Sequence, residues 1–533
     1  MALSHSNSAE HNGAPLSKAT SSAASDSKMK QPVVDSQQVQ VKAEPQTGEV
    51  VDIEAGFLTK TRIWIQKVGA EESGIERVPE DARIKQSPWS LFLVFFSANC
   101  CTATLALGYL GPATFGLGWW DSFLCILFFN LLGSLFPAAV ARFGNRTGLR
   151  TMAVPRYSFG WWPTKVLAVL NIITQIGWGI VNDLSGTSIL YDVGDGKLPS
   201  AVCVVIIGLI AIIVAALGYK YIHIYERYSW IFMCICFAIL AGFGAKDFVN
   251  LPMGTGQTEL SSVLGFGTVI FGFQIAWILI AADYSVYMEE NTNDWAVFGC
   301  AYGGLFVGQF FIEILGAAIG TLILSPDARF QEAYDRAGMG GLMGAVFAGH
   351  GDGVRGLGKL VEAILSLSTA AVIVCGIYSI GLSAQLTSEK ALRVPRIIWS
   401  LLGGIIFLVC AIAGRDHLEA VMTNFLNMCA YYLTPLTTII LVEHFVWHRG
   451  WSYNLEAWND RHKLPLGIAA SVSAIIGTVI ALMCMSQTWW IGPIALAIGG
   501  SEAGTDISWM LALGVTTVLY IPLRYWELRK WGR

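Results

Sequence analysis

Two short stretches hold the residues with the most chemistry to offer. In FGFQIAWILIAADYSVY (271–287), Gln274 and Trp277 interrupt an apolar run long enough to cross a bilayer, with Gly272 just ahead of them. In QIGWGIVNDLSG (175–186), Trp178 and Asn182 stand four apart and so share one helix face. In hydrocarbon an amide needs a partner and a glycine weakens the helix, so plain leucine would cost less at these positions. One indole from each of two helices makes a slot for a flat heteroaromatic ring. Stacking there contributes about 0.5–1.5 kcal/mol beyond area burial. Asn182 and Gln274 would read the ring's donors and acceptors, at about 1 kcal/mol net per bond. Interfacial anchoring, the ordinary use of a membrane tryptophan, suits Trp119 and Trp489 better than these mid-span indoles.

Three further groups belong with them. Ser97 and Asn99 in FFSANCCTATLALGYLGP either contact a ligand or satisfy backbone groups freed by a helix break, and Ser97 is the preferred ligand contact. Gly265, Gly267 and Gly272 either let their helix unwind or let another helix pack closely. The polar neighbours favour a ligand-serving break, placed at Gly272. Glu313 in QFFIEILGAA is a mid-span carboxylate, costly unless protonated or paired. It is a proton-relay candidate, and a fixed hydrogen bond to a neighbouring helix is its other reading. Asp183 lies toward the outer part of its span. Asp283 closes the sixth span near the cytoplasm, where a carboxylate reaches water without any role.

The elements that carry these groups are membrane helices. The chain is 54% hydrophobic and 14% charged, against about a quarter charged in soluble proteins. Spans of about 20 apolar residues read as transmembrane helices. Twelve are expected near 90–111, 119–141, 164–190, 199–218, 226–245, 262–283, 296–324, 359–386, 395–414, 418–445, 465–486 and 506–524. The connector 326–358 has room for a short amphipathic or re-entrant piece. Residues 1–50 read as a disordered cytoplasmic tail, with a weak modification pattern at Lys42, and 51–89 as a cytoplasmic pre-membrane segment. Then come a core over 90–445, a cytoplasmic loop over 446–464, two further spans over 465–524 and a cytoplasmic C-terminus over 525–533.

Arg142, Arg146, Arg150 and Arg156 after the second span, with Lys220, Arg227, Lys390, Arg393, Arg396, Arg449, Arg461 and Lys463 in later even-numbered connectors, put both termini in the cytoplasm. Asn145 of the NRT motif then faces the wrong side for glycosylation. The polar start predicts no cleaved signal peptide. No basic cluster suits a nucleic-acid polymer. The cysteines, mostly inside apolar runs, read as small hydrophobes, and no spacing suggests a metal or a cofactor. So many polar groups inside spans imply a solute pathway rather than an anchor or a receptor. Transporters of this kind place their sites at the midplane on broken helices, often the first and sixth.

At these residues the chain resembles the fungal purine–cytosine permease branch of the nucleobase–cation symporters. The resemblance runs from about residue 71 to the C-terminus. Its marks are ESGIERVPEDAR, FFSAN…GYLGP, FGLGWWDSF, RFGNRTGLRTMAVPRYSFG, GWGIVND, AADYSVY and YSIGLSAQ, in the family's order. It implies a LeuT-like, all-α polytopic fold, with ten core helices in two inverted five-helix repeats plus two peripheral helices. It also implies proton-coupled uptake of a nucleobase or related heterocycle across the plasma membrane. The family's binding positions fall on Ser97, Trp178, Asn182 and Trp277. The eighth span departs from the pattern. Where the family's purine–cytosine members carry Asn, then Pro-Asn, this chain has Val372, Cys375 and Gly376.

Each substrate group left unpaired costs about 1–3 kcal/mol. The expectation is therefore a non-enzymatic, proton-coupled importer that works by alternating access. Its default cargo is a purine or cytosine, and heterocycles such as a B-type vitamin come next. A sensor that kept the fold and lost translocation is the non-transport alternative. Sodium coupling and the oligomeric state stay open.

Overall fold

In the computed structural model, residues 75–217, 219–499 and 504–533 are described, and the side chains of all of these except 216–228. The expected tail, Lys42 and most of the pre-membrane segment lie outside these residues, as do the side chains of Lys220 and Arg227.

The first span is two helices, α1 (Trp89–Asn99) and α2 (Thr102–Phe115), meeting at 59°. The break falls at Cys100 and Cys101, whose backbones leave the helical region (φ −80°, ψ 62° and φ −141°, ψ 169°). The second span pairs α3 (Trp119–Gly133) with α4 (Leu135–Thr147), and Gly148, in the left-handed conformation, ends it. Next come α5 (Trp161–Val193), α6 (Ser200–Leu217) and α7 (Tyr219–Gly244). The sixth span starts as α8 (Gln257–Ile275) and gives way to two 3-10 turns, Ala276–Leu279 and Ala281–Tyr284. Then follow α9 (Asp294–Thr321), α10 (Ala328–Ala348), α11 (Asp352–Thr387), α12 (Arg396–Gly414) and α13 (Leu418–Trp447). The last two are α14 (Ile468–Cys484) and α15 (Ser508–Trp531).

Among the described residues, seven helices are long and apolar enough to cross a membrane, or eight if the bent pair is one span. Shorter apolar helices cover Ser200–Ala215, Ser229–Gly244 and Ile468–Cys484. The long connector folds as α10, kinked at Ala337 and Gly338 (φ 56°).

Polar groups sit inside and apolar groups outside, as lipid requires. Asn130, Gln274, Gln309 and Glu313 are fully buried, while Ile213, Phe232, Ile405, Val409 and Ile475 are exposed on the outer helices. Without a hydrophobic drive between helices in lipid, contact depends on close backbone approach at small residues. A Cβ at Gly316 of α9 would collide with the Leu105 carbonyl oxygen of α2, and one at Gly108 of α2 with that of Glu313. These glycines lock α2 onto α9.

The arginine-rich connector after the second span is an ordered cap. Arg83 Nη1 donates to the Asn145 carbonyl at 2.7 Å, and the Arg156 guanidinium lies over Trp161 and Trp458. The end of the sixth span docks on this cap. Ala282 N donates to Thr151 Oγ1 at 2.9 Å, and Thr151 N donates to Asp283 Oδ1 at 2.7 Å. Asp283 therefore has a structural role, which the sequence reading denied it: it anchors the sixth span to the cap.

Candidate functional site

Asn99 closes α1, one residue before the break. Its Nδ2 donates to the Phe95 carbonyl at 2.8 Å, the ordinary i−4 bond of a helical amide. Its Oδ1 accepts two bonds from other elements, from Trp277 Nε1 at 3.1 Å and from Gln309 Nε2 of α9 at 2.9 Å. One side chain thus joins the break in the first span, the end of the sixth and the middle of the seventh. Trp277 lies in the 3-10 turn that replaces α-helix, and Phe95 meets its ring edge-on at 5.7 Å.

The break expected at Gly272 lies further along. Gly272 is within α8, where a Cβ would strike the Leu426 carbonyl oxygen of α13, and α-helix yields to 3-10 only at Ala276. Gly272 serves close packing, and the unwinding follows four residues later.

On α5, Trp178 is packed edge-on against Phe273 of α8 and Phe425 of α13, at 4.9 and 5.4 Å. Asn182 Nδ2 donates back to the Trp178 carbonyl at 2.8 Å, while its buried Oδ1 has no hydrogen-bond partner among the described residues. An oriented, unpaired amide oxygen beside an indole is a ready acceptor for a ring N–H.

Ser97 lies on the first span at 3.3 Å from Ser229 of α7, hydroxyl to hydroxyl. Both line a narrow cleft of about 20 Å³ beside the helix break that also touches Cys100, Cys101, Val372 and Cys375. Ser97 and two of the three departing positions of the eighth span therefore share one cleft. The third, Gly376, faces Gln175 of α5. A Cβ at 376 would stand 3.4 Å from Gln175 Oε1, an ordinary contact.

Gln274 and Glu313 meet through a residue that sequence reasoning passed over. Gln274 Nε2 donates to Asn130 Oδ1 at 2.9 Å, and Asn130 Nδ2 donates to Glu313 Oε2 at 2.6 Å. Gln274 is wholly enclosed in this chain. For Glu313 this geometry is the interhelical hydrogen bond that was the second reading of its sequence. Asn171 was missed as well: its Nδ2 reaches Ser383 Oγ of α11 at 2.7 Å, and its Oδ1 accepts from Gln175 at 3.1 Å. The signal was present for both, an amide inside an apolar run.

Far from the cap, a larger vestibule of about 650 Å³ opens between the end of α5, α10 and the start of α13, lined by Tyr191, Tyr334, Arg336, Arg415 and Glu419. Here the buried Asp192 carboxylate binds Arg336 and Arg355, and the Tyr109 and Tyr334 hydroxyls both donate to Glu419 Oε1 at 2.6 and 3.2 Å.

Two broken helices that share an amide, deep in a polytopic bundle, define a membrane transporter. The chain belongs to the family of permeases for cytosine/purines, uracil, thiamine and allantoin, whose profile matches residues 77–494. It is 37% identical over 476 residues to a purine-cytosine permease of Emericella nidulans, covering 88% of this chain and 92% of that one. A vitamin B6 transporter of Saccharomyces cerevisiae is 29% identical over 529 residues, with 88% and 90% covered. In fold it matches Mhp1, a nucleobase-cation-symport-1 family transporter solved in a closed conformation with bromovinylhydantoin bound. The TM-score is 0.65 at 14% identity, over 86% of this chain and 96% of that one.

Proposed function

We infer that this protein is a secondary active importer of a nucleobase or a closely related planar heterocycle, driven by protons through alternating access. The observation that carries this reading is the junction at Asn99, where both broken helices and the Trp277 indole meet beside a cleft lined by Ser97. Trp178 and Trp277 flank the ring, Asn182 accepts from its edge and Ser97 assists from the first span. Glu313 carries the coupled proton.

Twelve spans, ten of them in two inverted five-helix repeats with α14 and α15 peripheral, suit this reading, because the broken spans open the two halves. The arginine-rich cap then faces the cytoplasm with both termini, the vestibule faces outward, and the membrane is the plasma membrane. The test is uptake of radiolabelled bases in a permease-deficient fungal strain, competed by a panel of bases and ring vitamins. Saturable accumulation competed by a purine or cytosine supports the reading. Binding without accumulation would point to a sensor instead.

A second cargo class has a specific observation in its favour. The cleft beside the break presents Val372 and Cys375 rather than amides, which favours a ring with less polarity at that edge. Pyridoxine-like vitamins fit that description, and preferential competition by them in the same panel would select this reading.

A further inference from the structure

Hydrogen bonds join Trp277, Asn99 and Gln309 in one chain and Gln274, Asn130 and Glu313 in another, and only the backbones of the sixth span and α9 connect the two chains into a circuit. Asn99 accepts from Trp277 and from Gln309. Trp277 and Gln274 lie three residues apart on the sixth span, and Gln274 leads through Asn130 to Glu313. Glu313 lies four residues beyond Gln309 on α9, on the same helix face, and this closes the ring. Five of the six side chains are at most 1% exposed, and Trp277 is 9% exposed.

The circuit is short of donors. Gln274 Oε1, Gln309 Oε1 and Glu313 Oε1 are buried oxygens without a hydrogen-bond partner among the described residues. Buried oxygens left unpaired are costly, and an unpaired carboxylate most of all. Among the described residues, no cationic side chain of the elements packed on α9 is recorded against Glu313. Arg142 of α4 lies against aromatic rings, and Arg146 is bound to Asp294. Arg329 and Arg336 of α10 bind Asp247 and Asp192. Of the acidic and phenolic groups on those elements, Asp121 of α3 accepts from Gly254 N, and Tyr109 of α2 and Tyr334 of α10 donate to Glu419. Cys101, at the break, is paired with Thr104 of α2. A proton on Glu313 neutralises the site and supplies the O–H donor that the circuit lacks.

We propose that Asn130 and Gln309 are positioning residues that tie the protonation of Glu313 to the seat of the Trp277 indole, so that the proton and the ring-binding site are linked through Asn99. Loss of the proton leaves a bare carboxylate at Asn130, draws on both amide arms of the circuit and loosens Trp277. This rests on the transport reading above and adds the route by which the ion acts.

The test uses the purified full chain in lipid nanodiscs and the same variants in cells. Infrared difference spectra between acid and alkaline pH are expected to show a protonated-carboxyl band that is absent in Glu313→Gln. The titration midpoint of that band should move in Asn130→Leu and in Gln309→Leu. In cells, wild-type uptake should fall at least tenfold from pH 5 to pH 8, and by less than twofold in Gln309→Leu and in Trp277→Phe, which keeps an aromatic ring without the N–H. The proposal is overturned if no band is lost in Glu313→Gln, or if the variants scale uptake equally at every pH. The infrared arm needs no substrate. A wild type that accumulates no heterocycle would therefore refute the transport reading while leaving the circuit to be judged on the band. Should Asn130→Leu fail to fold, Gln309→Leu and Trp277→Phe carry the same decision.

Discussion

At the scale of single residues, the polar side chains divide into those held by the protein and those with something left to offer. Asn182 spends its N–H on its own helix and keeps an unpaired oxygen, whereas Gln274 is enclosed by Asn130. Trp277→Ala is expected to abolish uptake, by tenfold at the least, since it removes a stacking face together with the bond to Asn99. Surface biotinylation should show the protein still at the membrane, and normal transport would end the ring-slot account. Gly376→Asn should raise the affinity for purines or cytosine about fivefold, the worth of one net hydrogen bond of about 1 kcal/mol. A Cβ at this position makes only an ordinary contact with Gln175. An unchanged competition panel would mean that the eighth span does not set selectivity. Legibility at this scale followed range. The four-residue spacing of Trp178 and Asn182 could be read directly, because a helix converts it into a shared face. Gln274 stood out as polar, but its partner lies 144 positions upstream, and no local pattern encodes that pairing.

At the scale of elements, the break in the first span and the unwinding in the sixth follow from different local causes. Asn99, Cys100 and Cys101 end α1 with polar groups able to satisfy freed backbone, while α8 runs on past its glycines and loosens only where Trp277 begins. The glycine pattern was legible; its use was not, because unwinding and close packing leave the same trace in a sequence. Gly316→Leu should therefore cost folding rather than transport, since a side chain there meets the backbone of α2. A loss of about 1–3 kcal/mol is expected, read as a lower detergent melting temperature and reduced surface level. Asp283→Ala should also lower the melting temperature, because it frees the Thr151 amide that seats the sixth span on the cap. A variant as stable as wild type would show that anchor to be idle.

At the scale of the whole molecule, composition alone decided the class, since a chain with 14% charge has too little polar surface to face water throughout. The connector 326–358 was legible as holding a short amphipathic or re-entrant piece, but the kink of α10 at Ala337 and Gly338 that joins its polar first half to the buried run Met339–Phe347 was not, because a reversal of backbone at one glycine leaves no apolar pattern. This helix is tied down at Asp192, a buried acid holding Arg336 and Arg355. Asp192→Asn leaves Arg336 without its carboxylate and Arg355 with Glu362 alone, which should loosen the hold on α10. The expected result is faster thiol labelling of a cysteine placed at Gly338, the kink of α10, because the helix spends more time lifted from the vestibule. Labelling at the wild-type rate would show that Asp192 does not restrain it.

The interlocked glycines of α2 and α9 carry one more consequence. Gly304 and Gly308 of α9 press on the backbone of Phe92 and Phe96 of α1 as Gly316 does on Leu105 of α2, so α9 lies like a splint across both halves of the broken first span and bridges the kink at Cys100 and Cys101. Glu313 rides on that splint and Trp277 is hooked to the bridged kink through Asn99, so the carboxylate and the indole hang from one joint.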